Sequence, residues 1–522
     1  MLATALLAGF LLASPSGEEL HVSARTGDDT VGEGTAEAPF RTLTRALAAA
    51  RSAGDDAPLI RIDMGTYDTE AGEVFPLELP PLAQIVGRGS ELCELAGDGE
   101  GPLLIARDAA GARRALLIAG LTLRGATTGL SVESTPSEDV TWIDSLRLDD
   151  VHCKETGTGV SVSLRPFSSE APCRGLFLNV SGFRATDCET GMAVRGTSEL
   201  VLEIEDSLFR GCGNGLLFEA ALSEDPDRYA GPPVHHDVTV RRTRFEACRG
   251  AGVLRRGAAG KNAARPYLFE DCDFRGNDVG IHMMRPAADS PLIVRRSRFL
   301  ENVHFGLQVS GWRGDSSQLS LIEDCTFRWN GVGLHLVNMQ VVYELRRNRI
   351  LDNLGTGVFC ANFMSEPTTA VFANNLIARN GAAGLYCLAD AKVLSIHVVH
   401  STIVDNMASG IERKNRHSGK SSFEVRGCIV AGNTPDLSKI DATEVFGSLV
   451  GDGSGSGVND NLEGDPGFDV QRRGYRLGAG SPCIDRGSEA GRRLAGSTDL
   501  DGKPRGVGPL DLGALERQPK KP

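Results

Sequence analysis

A basic excess is the first thing this sequence lacks. Across 522 residues, 55 Lys and Arg stand against 68 Asp and Glu, a formal net charge of -13. A protein that grips nucleic acid needs a cationic face to neutralise phosphates, so the balance argues against that partner. Aromatics are scarce too, at 6%, with 3 Trp. A Trp-rich core is not expected, and many backbone turns with small packed layers are expected instead. No apolar run reaches the roughly 18 residues that a membrane-spanning helix needs. The longest, LATALLAGFLLA from Leu2 to Ala13, has the length of a signal-peptide core, with small residues Ser14, Ser16 and Gly17 after it for cleavage. It lacks the customary Lys or Arg in front. Residues 1–18 are therefore read as a signal peptide, and the mature chain as secreted, extracellular or at the cell surface, with the periplasm as an alternative.

Glycine, by contrast, is abundant at 63 residues, and it recurs in a phrase. DCDFRGNDVGIHM from Asp271, RSRFLENVHFGLQV from Arg296, DCTFRWNGVGLHL from Asp324 and RNRILDNLGTGVFC from Arg347 are the clearest copies. Each runs apolar residue, spacers, Asn or Cys, spacers, Gly, aliphatic residue. The closing glycines include Gly129, Gly159, Gly191, Gly215, Gly252, Gly280, Gly306, Gly333, Gly357, Gly384 and Gly410, most of them 24 to 28 residues apart. Longer intervals hold polar inserts, as a solenoid with loops on one side would. Alternation in short runs such as Val358-Phe359-Cys360, with β-branched segments before each phrase, argues strands. Several strands in a unit near 25 residues, without a helix, specify an all-β, single-stranded right-handed parallel β-helix.

Stacking then brings equivalent residues to within about 4.8 Å of each other. One column is Cys188, Cys212, Cys248, Asn277, Asn302, Asn330, Asn353, Asn380 and Asn406. Asn tolerates left-handed turns, and its amide can bond to the amides above and below. A second is interior: Phe209, Phe245, Phe274, Phe299, Phe327, Ile350, Ile377 and Ile403. A third alternates in sign, from Glu205-Asp206 through Arg241-Arg242, Glu270-Asp271, Arg295-Arg296 and Glu323-Asp324 to Arg346-Arg347. Opposite charges on adjacent strands attract and like charges repel, so this column reads as a register device. The 12 cysteines fit no compact zinc spacing and are expected to be mostly buried thiols.

Residues 19–95 form an N-terminal cap and the first coils, with a short Ala-rich helix over Thr42 to Ala53 to cover the open edge. The repeats occupy 96–446, and 447–522 form a C-terminal cap and tail. The order Gly-Asp-Asp turn, Pro-Phe-x-Thr-Leu helix, Gly-Thr-Tyr turn and Gly-Glu-x-Phe-Pro-Leu resembles the uncharacterised N-terminal domain of bacterial secreted β-helix proteins in the pectin-lyase-like superfamily. The coils from 117 to 435 resemble that superfamily's repeats. EGDPGFDV, YRLGAGSPCIDRGS and DLDGKPRGVGPLDLGALE resemble the terminal segment of bacterial surface-associated β-helix proteins. Asp499 and Asp501 in DLDG could hold calcium, though without the full spacing of a calcium loop they read better as turn residues. No other cofactor and no metal is expected.

The resemblance implies polysaccharide as the partner, since pectate and alginate lyases, polygalacturonases, uronan epimerases and phage tailspikes share the fold. Their catalytic motifs are missing: no Asp-Asp with Asn-Thr-Asp set, no Asp-Pro-His, no Arg-x-Pro-x-x-Arg. Whether the chain is an enzyme is open at this point. From the residues, the outward position two after each repeat Gly gives His282, Gln308, His335, Phe359, Tyr386 and Glu412 as a carbohydrate-binding surface, with Trp312 in an overhanging loop. Rings can stack on sugars, and His, Gln and Glu can bond hydroxyls or move protons. His282 and His335, two coils or roughly 10 Å apart, could bracket a sugar ring. Three readings follow: a polysaccharide-binding β-helix, a lyase or hydrolase with an unfamiliar site, and a structural or adhesion module. A monomer is expected.

Overall fold

The structure, a computed structural model, describes residues 19–52, 58–107, 115–133, 143–164, 175–196, 199–219, 236–257, 265–284, 291–310, 319–337, 342–363, 368–390, 393–416, 420–469, 471, 474–505 and 509–518. Residues 1–18, read from the sequence as a signal peptide, Trp312 and His235 lie outside them. The chain is an all-β parallel β-solenoid, in two compact units, residues 1–217 and 218–522. No described helix is long and apolar enough to cross a membrane.

The first unit opens with strand Leu20–Val22, paired in parallel with Leu59–Ile62. The expected helix runs from Leu43 to Ser52 and packs against the strands Leu20–Val22 and Leu77–Glu78. It buries Leu43, Ala46, Leu47 and Ala50, the i, i+3, i+4, i+7 stripe of an amphipathic helix. The Thr42 hydroxyl accepts from the Arg45 N–H, and the buried Glu73 carboxylate accepts from the N–H groups of Leu43 and Thr44. Three of the N–H groups that a helix start leaves orphaned are thereby bonded. Beyond the helix the coils stack in register. Ile60, Ile85, Ile118, Leu148, Val180 and Ile204 form one interior column, each completely or almost completely buried.

In the second unit the interior column is Phe245, Phe274, Phe299, Phe327, Ile350, Ile377 and Ile403, partnered coil to coil. The four rings lie nearly parallel, with centroids 4.9, 4.7 and 4.6 Å apart. Coil spacing alone sets this distance. The Asn column is a continuous hydrogen-bonded ladder. Asn302 Nδ2 donates to Asn330 Oδ1 at 2.8 Å, Asn330 to Asn353 at 2.9 Å, and Asn353 to Asn380 at 2.8 Å. Each Nδ2 also donates to a carbonyl one coil back, as Asn330 does to Phe299 O at 3.0 Å. Left-handed geometry falls on the residue before each Asn (Glu301, Trp329, Asp352, Arg379 and Asp405 all have φ between 54° and 60°). That residue turns the chain so that the Asn points inward, a division of labour the sequence reading assigned to Asn alone. A second ladder supports the neighbouring turn: Cys272 N–H to Ser297, Cys325 to Asn348, Asn348 to Asn375, and Asn375 to Ser401.

The charged column pairs as its alternation requires. Arg241 meets Glu270 at 3.1 Å, Arg296 meets Glu270 and Asp271 at 2.8 and 2.9 Å, and Arg347 meets Asp324 at 2.8 Å. The alternation stops after Arg347, where the left-handed position is taken by Asn374, His400 and then Gly427. These residues carry the returning C-terminal segment. Asn374 Nδ2 donates to Ala495 O at 2.6 Å, His400 is buried beside Gly487 and Gly491, and Gly427 O accepts from the Gly513 N–H at 2.8 Å. The short helix Glu489–Ala495 belongs to this segment. All eleven described cysteines are buried thiols; burial raises the thiol pKa of most of them, Cys360 and Cys428 to about 12.

Candidate functional site

In the second unit, the sheet holding the post-glycine strands positions six of the seven candidates. Register places His282 opposite Gln308, Gln308 opposite His335, His335 opposite Phe359, Phe359 opposite Tyr386 and Tyr386 opposite Glu412. The reason is local. The residues either side of the outward positions from His282 to Tyr386, such as Leu334 and Leu336 around His335, are completely or almost completely buried. The period-two pleat then turns the residue between them outward. Every member of the row is half-buried.

Three of the rings stack on one another. His335 and Phe359 lie 4.8 Å apart at 12°, and Phe359 and Tyr386 5.2 Å apart at 10°. Phe305 leans on His335 at 4.7 Å. Both faces of Phe359 are thus covered, and it offers an edge where the sequence reading offered a face. Tyr386 faces Phe359 on one side and the coil of Glu412, which brings no ring, on the other. In the first unit the equivalent positions are Ile105, Ser131, Ser161 and Ala193, so the large row belongs to the second unit.

Burial favours the uncharged form of both histidines. Desolvation lowers the His282 pKa, and it lowers that of His335 to about 4, with a smaller contribution from His282. Among the described residues, His335 Nδ1 is buried with no hydrogen-bond partner. An exposed His304–Asp278 pair sits on the turns leading into this sheet. His236, from the His235-His236-Asp237 run, lies in the core with Nδ1 3.2 Å from the Tyr267 hydroxyl. Asp499 Oδ1 accepts from the N–H groups of Asp501 and Lys503, its Oδ2 accepts from that of Glu516, and Asp501 lies between Arg349 and Arg476. Among the described residues no cluster of three or more His, Cys, Asp or Glu could hold a metal ion.

The sequence reading missed a compositional feature of this sheet. Five successive strands, Val279–Met284, Phe305–Ser310, Val332–Val337, Val358–Asn362 and Leu385–Ala389, contain no Asp, Glu, Lys or Arg. The strands bounding them do: Ala251–Arg256 carries two Arg, and Ile411–Asn415 carries Glu412, Arg413 and Lys414. The signal was available in the repeat alignment, as a block of uncharged segments in a chain that is 24% charged.

Residues 315–434 match the family model described as right handed beta helix region. The chain is a right-handed parallel β-helix protein. Residues 25–122 of this β-helix match the model described as protein of unknown function DUF1565. No curated protein sequence matches. Solved structures similar to the β-helix include a periplasmic alginate epimerase, with TM-score 0.37, 12% identity, and coverage of 77% of this chain and 84% of that one. The A-module of a mannuronan C-5 epimerase from Azotobacter vinelandii gives 0.34 and 12%, over 81% and 94%. A lacto-N-biosidase from Eubacterium ramulus gives 0.33 and 11%, over 81% and 68%. Likeness at this level carries no information on activity.

Proposed function

We propose that this protein binds a polysaccharide strand along the outer face of the post-glycine sheet in its second unit, without cleaving it. The carrying observation is the in-register row Gln308, His335, Phe359, Tyr386 and Glu412. A regular polymer is best met by groups repeated at a regular interval, and the coil spacing supplies one. The amide of Gln308, the Tyr386 hydroxyl and the Glu412 carboxylate can bond sugar hydroxyls. Half-burial limits the entropy lost when these side chains are fixed by a ligand. A polysaccharide partner places the working protein at the cell surface, outside the cell, or in the periplasm.

A lyase or hydrolase reading has one observation in its favour, an uncharged His335. Its basicity, however, is that of a group with a pKa of about 4. That is too weak for efficient proton abstraction near neutrality, where a general base works best with a pKa close to the ambient pH. Binding is therefore the better reading. The test is retention of the purified protein on a panel of uronic-acid and neutral polysaccharides, with assays for new reducing and unsaturated ends. Retention without new ends is expected. New ends that vanish in His335→Gln would replace binding with catalysis, and no retention by any glycan would end both readings.

A further inference from the structure

We infer that the ligand of this face is an uncharged polysaccharide, a neutral glucan, galactan or mannan type of chain, and that uronans are refused. The inference rests on the binding reading above and narrows it. A uronate chain brings one carboxylate per sugar, and a protein meets such a polymer with Arg or Lys at matching intervals. The five central strands supply none. They read VGIHMM, FGLQVS, VGLHLV, VFCAN and LYCLA. The titratable side chains turned outward on them are His282, His335 and Tyr386. Desolvation favours the uncharged form of both histidines.

The groups beside the outward row are uncharged as well. Register aligns Met284, Ser310, Val337, Ala361 and Leu388 on one side of it. Val279, Phe305 and Val332 align on the other. Among the described residues, the arginines of these coils stand elsewhere. Arg295 and Arg296 are paired with Glu323, Glu270 and Asp271, and Arg328 with Asp352, on the other sheet. Among the described residues, charge returns to the face only at its edges. Arg256 is bonded to Glu219 at one end, and Glu412 and Lys414 lie at the other.

A carboxylate laid over Gln308, His335 or Phe359 would lose water and gain no cation, which is unfavourable. A hydroxyl there exchanges one neutral hydrogen bond for another. The row is also the right kind of surface for an uncharged sugar: apolar ring edges between hydroxyl- and amide-bearing tips, in a half-buried strip.

The experiment is affinity electrophoresis of the full chain through gels carrying single neutral polysaccharides, or polygalacturonate, or alginate. Retardation by at least one neutral glycan is expected, unchanged from low salt to about 0.5 M, since there is no ionic attraction to screen. Uronans should leave the mobility unchanged at every salt concentration. Tyr386→Ala should weaken neutral-glycan binding by about tenfold or more, and Gln308→Arg should weaken it while creating salt-sensitive retardation by uronans. Native circular dichroism would show that both variants fold. Retardation by a uronan that depends on Tyr386 would overturn the inference and leave the binding face standing. No retardation by any glycan would overturn both. Self-association of the wild type that Tyr386→Ala abolishes would assign the face to a second copy and overturn both as well.

Discussion

Asn330→Ala should cost this protein more than any exposed substitution in the second unit. The side chain is completely buried and makes four hydrogen bonds. Nδ2 donates to Phe299 O at 3.0 Å and to Asn353 Oδ1 at 2.9 Å, while Oδ1 accepts from Asn302 N at 3.1 Å and Asn302 Nδ2 at 2.8 Å. Alanine removes all four. Asn353 Oδ1 still accepts from the Asn330 N–H, and Asn302 Nδ2 still donates to Phe274 O. The Asn302 N–H and the Phe299 carbonyl lose a partner in the interior. At roughly 1–3 kcal/mol for each stranded group, a loss of about 2–6 kcal/mol is expected. Asn330→Cys should lose less, because Cys248 already serves in this column, its N–H donating to Asn277 Oδ1 at 3.0 Å. Urea unfolding gives the total. Amide exchange locates it, since in a solenoid the loss should concentrate at the coils of Asn302, Asn330 and Asn353. A loss below about 1 kcal/mol, with unchanged exchange at Asn302, would refute the ladder as a source of stability.

Further outcomes follow from the other columns. Phe299→Ala, between rings at 4.7 and 4.6 Å, should destabilise by about 3–5 kcal/mol in the same urea assay. Glu323→Arg would set an arginine between its register partners Arg295 and Arg346. It should lower the melting temperature at low salt, with partial recovery at high salt as the repulsion is screened. The His335 pKa is about 4 when folded against an ordinary 6.5. The folded state therefore binds fewer protons than the unfolded one between those values, and this group makes stability fall as pH drops from about 6.5 to about 4. His335→Gln should flatten that part of a melting-temperature profile, and a midpoint near 6.5 in an imidazole NMR titration would contradict the burial argument.

How much of this was legible depended on whether a feature repeats once per coil. The phenylalanine column, the Asn column and the alternating charges were readable because parallel stacking converts a sequence interval into a spatial neighbour. The outward row from His282 to Glu412 was found by the same logic. What escaped was relational. Phe359 looks like an available ring in the sequence, yet its neighbours one coil away cover both faces. The left-handed residue before each Asn varies from Glu to Trp to Arg, so no residue type announces it. The end of the charge alternation at Arg347 was visible, but its reason was not: the segment that lies on Asn374, His400 and Gly427 comes from residues 487 to 513, more than a hundred positions later for Asn374.

The alternating column also imposes a parity on the array. From Asn277 on, glycine and asparagine recur with every coil, so excising one whole coil leaves like residues still stacked. The charges recur with every second coil. Excising the coil of Arg295 and Arg296 would set Glu270 against Glu323, acid on acid, whereas excising two neighbouring coils would restore the original order of signs. In this stretch, then, the shortest length of chain that can be copied or deleted without electrostatic conflict is a pair of coils.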